Sequence, residues 1–167
     1  MALSRGIRIA PPGKGSGGFN GRQALVKITK EEVAEIIGTE LPWAVQLNLE
    51  TEEIGEGWCR VRLPHQDLHL RPGGTISGPS MMTVADFALY VAVMSAIGRV
   101  ELAVTTNLSI NFLRRPKPGD ILAEARLMKL GQRLAVGEVH LRSEGEDEQH
   151  LVAHATGTYS IPPSEQR

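Results

Sequence analysis

The chain is nearly free of cysteine: Cys59 is the only one among 167 residues. An internal disulfide and any zinc site built on cysteines are thereby excluded. It also lacks an excess of charge of either sign. Its 18 Lys and Arg against 19 Asp and Glu leave a formal net charge of −1, so nothing draws the whole molecule to nucleic acid or an anionic membrane. The first 18 residues hold no apolar run of the kind a signal peptide carries. The longest apolar stretch, Met81–Ile97, is interrupted by Asp86 and falls short of the roughly 20 residues of a membrane span. No internal repeat is visible. These absences predict a cytoplasmic protein without nucleic-acid or membrane partners.

What is present is ordinary in bulk, with 41% hydrophobic and 22% charged residues on a length that suits one domain. Residues 1–25 mix Gly, Pro, Ser and basic residues without period and read as a flexible arm. Residues 26–162 read as a single domain and 163–167 as a tail. Thr29-Lys30-Glu31-Glu32 is a capping box that opens a short helix, with Val33, Ile36 and Ile37 on one face and Gly38 as its stop. Val45, Leu47 and Leu49 then alternate with polar residues, and Gly55-Glu56-Gly57 turns the chain. Cys59, Val61 and Leu63 alternate with Arg60 and Arg62, which completes a hairpin with one dry face and makes Cys59 a core thiol. A loop over 64–77 leads into a long helix from about Pro79 to Ile97. Four strands follow, over 107–112, 121–129, 133–142 and 151–161. The predicted fold class is α+β, an antiparallel sheet of about six strands around one long central helix. The helix is apolar on nearly all sides. One sheet covers one side, so a second copy of the chain is expected to cover the rest, as a homodimer or homotetramer.

The chemistry gathers at this helix. A lone carboxylate such as Asp86 in an apolar helix costs several kcal/mol unless it is paired, and such costs concentrate at functional sites. Before the helix stands Gly73-Gly74-Thr75-Ile76-Ser77-Gly78-Pro79, a glycine-rich turn with proline placed for a first helical turn. Amides at such a mouth face outward with the positive end of the helix dipole, ready for an anion or a developing oxyanion. Gly78 and Asp86 lie eight residues apart, which is ~12 Å along a helix. They cannot touch one carbonyl within one chain. Two antiparallel helices from two copies would bring them together. The structural alternative for Asp86 is a carboxylate satisfied by Thr83, by Tyr90 or by a partner chain.

From Gly74 to Pro79, through Ala85-Asp86, then Asn107-Leu108-Ser109-Ile110-Asn111-Phe112-Leu113-Arg114, the sequence resembles the hot-dog-fold acyl-CoA thioesterases of the phenylacetate-degradation type. Gly119-Asp120, Ala125-Arg126, Gly131 to Ala135 and Ala155 to Tyr159 extend the resemblance over about residues 40–161. It implies that Asp86 is the catalytic acid, as general base toward water or as nucleophile, and that Gly78 N–H polarises the thioester carbonyl. Ser77, which flanks that glycine, and Thr105 are assigned to the catalytic residues beside Asp86 and Gly78. Thr105 or Thr106 falls near a hydroxyl that helps orient water. Gly74, Thr83, Tyr90 and Thr106 are assigned with the substrate-binding residues. Arg114, Arg115, Lys117 and Arg133 are positions suited to coenzyme A phosphates. No cofactor or metal is implied, coenzyme A being part of the substrate.

Two departures stand out. Ser77-Gly78-Pro79 replaces the family's common His-Gly-Gly, and Arg71 replaces a common Asn or Gln. Arg71 has two uses open to it: an ion pair with Asp86, or a grip on a substrate carboxylate or coenzyme A phosphate. Two other functions therefore stand beside hydrolysis. A non-catalytic acyl-CoA-binding dimer is favoured by Arg71. A hot-dog enoyl-CoA hydratase would need a histidine at the helix mouth, which only His69 could supply, and only if its loop folds back. His65 and His69 have no third ligand at zinc spacing, and His140 and His154 read as surface residues on polar strand faces.

Overall fold

The computed structural model describes residues 26–147 and 149–163. The expected N-terminal arm, and the tail beyond Pro163, lie outside the described residues. The chain begins with helices α1 (Lys30–Glu40) and α2 (Pro42–Gln46), then strands β1 (Glu50–Gly55) and β2 (Trp58–Leu63). A 3-10 turn at Asp67–His69 and a two-stranded ladder, β3 (Leu70–Arg71) with β4 (Thr75–Ile76), lead into α3 (Gly78–Ile97). Strands β5 (Val104–Phe112), β6 (Ile121–Leu130), β7 (Leu134–Ser143) and β8 (Leu151–Ser160) follow. The main sheet has six strands in the order β1-β2-β6-β7-β8-β5, and every pair is antiparallel. The α+β architecture of one long helix against a six-stranded sheet is the one expected.

Local chemistry accounts for the first elements. Thr29 Oγ1 accepts from Glu32 N–H at 3.2 Å, and Thr29 N–H donates to Glu32 Oε2 at 2.7 Å, closing the capping box. The helix does not stop at Gly38 but runs on to Glu40. A Cβ at Gly38 would meet nothing within 4 Å, so this glycine is a solvent-side helix position whose cost is borne by the flanking turns.

The strand expected over Val45–Leu49 is absent, and α2 takes its place. Pro42 sits in the first turn of this helix, and Asn48, at φ 50, ends it in a left-handed conformation. Ala44 is fully buried and its carbonyl accepts from Leu49 N–H at 3.1 Å. Trp43 meets Phe87 of α3 edge to face, with centroids 6.2 Å apart. Tertiary contact thus overrides the two-residue alternation, and the hairpin starts only at Glu50.

Helix α3 is the core. At 20 residues it is long and apolar enough, by length and composition, to cross a membrane, contrary to the shorter span read from sequence. It is instead mostly buried inside its own chain, under β2, β5, β6, β7 and β8. Most of it is covered within one chain, where the sequence suggested that a second copy would be needed. Apart from half-buried Ile97 at its last turn, what stays open is a strip at its N-terminal half: Pro79 and Met82 are exposed, and Gly78, Thr83 and Asp86 are half-buried. The i, i+3, i+7 spacing of Pro79, Met82 and Asp86 puts them on one face.

The rotation of α3 is fixed by a notch. Gly137 and Gly157 are direct partners across β7 and β8, and Leu89 fills the space their missing side chains leave. A Cβ on Gly137 would lie 2.7 Å from Leu89 Cδ2 and 2.8 Å from the backbone oxygen of Arg126. The latter atom cannot step aside as a side chain can. Gly137→Ala is therefore expected to lower unfolding free energy by about 1–3 kcal/mol, as overpacked sites do. Leu89→Ala, which empties the notch, should cost about 2–5 kcal/mol. Urea denaturation of both variants beside the parent checks this, and an unchanged midpoint for Gly137→Ala would refute the notch.

Candidate active site

Asp86 is held from the sheet, not from its own helix. Thr105 Oγ1 donates to Asp86 Oδ1 at 2.6 Å, and Tyr159 OH lies 2.8 Å from the same oxygen and 2.9 Å from the Asp86 carbonyl. Thr83 and Tyr90, the partners considered from sequence, are engaged elsewhere. Thr83 Oγ1 donates to Pro79 O at 2.9 Å, and Tyr90 OH to Glu101 O at 3.3 Å. Asp86 Oδ2 has no hydrogen bond among the described residues.

A β-bulge selects the threonine. Thr105 pairs with Tyr159, but the next pair is Asn107 with Thr158, so Thr106 is the extra residue. Leu108 and Ile110 pack against the core, and strict alternation would turn Thr106 inward with them. The bulge shifts the phase and aims Thr105 at the carboxylate instead. Thr106 Oγ1 donates to Thr158 O at 3.1 Å. Tyr159, which the sequence reading did not assign to the site, is thus the second donor to Asp86. Burial first, and the charge of Asp86 second, push its phenol far up, so it stays protonated and donates.

The second candidate, Gly78, lies at the opposite end of the exposed strip. Ser77 caps α3, its Oγ accepting from Ser80 N–H at 3.3 Å and lying 2.9 Å from Ser80 Oγ. Gly78 N–H has no partner among the described residues. A Cβ on Gly78 would lie 3.2 Å from Phe112 Cζ, so the glycine keeps this mouth open. The mouth opens on a cleft of about 530 Å³ lined by Arg71, Gly78, Met81, Phe112, Arg114 and Arg115 among others. Gly73 and Gly74, at φ 94 and 71, make the turn between β3 and β4 that carries Arg71 to it.

The basic candidates divide. Arg115 Nη2 donates to Gly73 O at 2.7 Å and Arg114 Nη1 to Leu151 O at 3.0 Å, which fixes both guanidiniums at the cleft. The side chain of Arg71 forms no ion pair among the described residues, so no Arg71–Asp86 bridge exists within one chain. Lys117 is bound to Glu146. Arg133 lies at the Asp86 end, its carbonyl accepting from Ile161 N–H just past Tyr159.

The loop before α3 does fold back. Ser77 N–H donates to His69 O at 2.7 Å. The His69 ring, however, is fully buried, with Nδ1 2.8 Å from Pro64 O, and it does not line the cleft. Cys59 is likewise sealed in the core, and burial pushes its thiol far up, so it is no nucleophile.

The family model described as "Thioesterase superfamily" matches residues 73–149, which run from the glycine-rich turn into the β7–β8 connection. A presumed thioesterase from Silicibacter sp., known by crystal structure, is 44% identical, with a TM-score of 0.75 over 84% of this chain and 96% of its own. A presumed esterase of Pseudomonas aeruginosa is 35% identical over 118 residues, 65% of this chain and 85% of its own. The phenylacetic acid degradation protein of Thermus thermophilus, solved as a mutant, is 27% identical, with a TM-score of 0.63 over 72% of this chain and 99% of its own. The helix, its glycine mouth and the sheet that clamps Asp86 are those of a hot-dog fold, and the chain belongs to the thioesterase superfamily.

Proposed function

We propose that the protein hydrolyses acyl-CoA thioesters at a site shared by two copies of the chain. The supporting observation is the way β5 runs beside α3. Its Phe112 end lies at Gly78 and its Thr105 end at Asp86. Strand β5 is also a sheet edge nine residues long, with Val104 and Phe112 exposed along it. An unprotected edge of this kind is a template for pairing with another strand. A twofold axis between Leu108 and Ser109 would pair Thr105 with the partner's Phe112, and so bring Asp86 to the partner's Gly78. Arg71, Arg114 and Arg115 of one copy would then flank the same site as Arg133 of the other.

In that arrangement the thioester carbonyl oxygen accepts from Gly78 N–H at the helix mouth. Such oxyanion donors are typically worth about 3–4 kcal/mol in the transition state. Asp86, oriented through Oδ1 by Thr105 and Tyr159, presents Oδ2. As base, Oδ2 takes a proton from water, whose oxygen attacks the carbonyl carbon. The carbon–sulfur bond breaks, and coenzyme A leaves as a thiolate that regains a proton. As nucleophile, Oδ2 would attack directly and water would open the resulting anhydride. The guanidiniums at the cleft suit the phosphates of coenzyme A. A second reading, an acyl-CoA-binding dimer without turnover, is favoured by Arg71, which this geometry would set beside the partner's Asp86.

Asp86→Asn should lower thiol release from acyl-CoA by about 10²–10⁴-fold with the fold intact, as loss of a general base does. Turnover that survives the change, or saturable binding with no turnover on a panel of aryl- and fatty-acyl-CoAs, counts against catalysis. Light scattering should give twice the chain mass or a multiple of it, and an active monomer would overturn the shared site.

Tyr159→Phe should cost about tenfold or more in turnover, the worth of a hydrogen bond to a charged group. The same phenol offers a pH test. Burial pushes Tyr90 up to about 12, and Tyr159 shifts upward too, whereas free tyrosine titrates near ~10. Ultraviolet titration of the native chain should therefore show neither of its two tyrosines ionised between pH ~10 and ~11. Because both folded values are raised, their contribution to stability is complete below pH ~10 and is lost as pH rises further.

A further inference from the structure

On the face of the sheet turned away from α3, three metal-ligand side chains converge. Val139, Leu141, Ala153 and Ala155 point into the core, so Glu138 and His140 of β7 and His154 of β8 point outward. His140 and His154 are direct cross-strand partners, and Glu138 is two residues before His140 on the same face. His154 Nε2 lies 3.3 Å from Glu138 Oε2, His140 Nε2 lies 3.8 Å from that same oxygen, and one ligand atom from each residue falls within 4.8 Å of the others. From sequence alone the two histidines read as separate surface residues. Their pairing is a matter of strand register, which spacing along the chain does not reveal.

The distances suit an ion. Zinc bonds of about 2.0–2.2 Å to nitrogen and oxygen put the ligand atoms of a tetrahedral site about 3.3–3.5 Å apart, so small rotations of the two rings would close this set. The imidazole rings are already tilted together, with centroids 5.2 Å apart. Each of the three side chains keeps 31–46% of its exposure, which gives an ion access from solvent. Charge nearby is mixed. Glu124, opposite His140, is taken up by Arg60 and Arg142, whereas Glu138 contacts only the two histidines among the described ion pairs. Arg126 stands opposite Glu138 and opposes a cation, so the two imidazoles must carry the affinity.

We propose that Glu138, His140 and His154 form a surface site for a divalent transition-metal ion of the zinc class, bound through Oε2 and the two Nε2 atoms with water completing the shell. Two imidazoles with one carboxylate favour such borderline ions over magnesium or calcium, which prefer all-oxygen shells. The ion would clip β7 to β8 and takes no part in thioester chemistry, which lies on the other side of the sheet.

The full chain, stripped with EDTA, is titrated with zinc chloride in a calorimeter, and with cobalt(II) while visible absorption is followed. One saturable equivalent per chain is expected, with cobalt bands of a four-coordinate site. His140→Ala and His154→Ala should each weaken binding at least about tenfold, the loss commonly seen when even outer-shell partners of a metal are removed. Far-ultraviolet circular dichroism should stay unchanged. No saturable binding, or binding that both variants retain in full, overturns the site.

Discussion

Leu89 seated between Gly137 and Gly157 sets the rotation of α3, and with it the position of Asp86. A helix apolar all round has no preferred rotation from hydrophobicity alone, because any face buries about as well as another. The notch supplies the preference. With Leu89 locked toward β7 and β8, Asp86, three residues earlier, is turned to the edge of the buried surface, where Tyr159 and Thr105 reach it. The carboxylate escapes the full cost of burial by accepting two hydrogen bonds through one oxygen. Its other oxygen stays clear of protein donors among the described residues. Packing and chemistry are thus set by a single choice of rotation.

Strand β5 carries two duties that pull in different directions. Its inner side must complete the sheet over α3 and hold Asp86, while its outer edge is left unpaired. The bulge at Thr106 reconciles them by shifting the phase at one end only: Leu108 and Ile110 stay on the core, and Thr105 turns to the acid. The result is a chain in which Asp86 and Gly78 lie at opposite ends of one exposed strip, ~12 Å apart along the helix. The arginines of the cleft gather at the Gly78 end. On the proposed reading, antiparallel pairing of two β5 edges would bring the two ends together.

Much of this was legible residue by residue. Thr29 and Glu32 announced α1, Gly78-Pro79 announced the mouth of α3, and Asp86 stood out as the costly residue in an apolar run. Alternation placed β2, β6, β7 and β8 within a residue or two, because each has one face on the core and one in water. The segment Val45–Leu49 misled for a definite reason. Its alternation was real, but Pro42, the burial of Ala44 and the Trp43–Phe87 contact favoured a helical turn. Thr105 and Thr106 were indistinguishable, since a bulge leaves no mark in composition. Tyr159 was visible only as part of a motif, with nothing to tie it to a residue 73 positions away.

The class of fold, the choice of Asp86 and Gly78 as candidates, and their separation along one helix could all be read from the chain of residues alone. Those follow from local rules: capping, periodicity, rise per residue and the cost of a charge among apolar side chains. Which hydroxyls hold Asp86, how far one chain covers its own helix, and the shared patch of His140, His154 and Glu138 emerge only in the folded chain. Each of these depends on strand register and helix rotation, which are set by contacts between residues far apart in the chain. Spacing along a sequence records distance only within an element, and the site is built between elements.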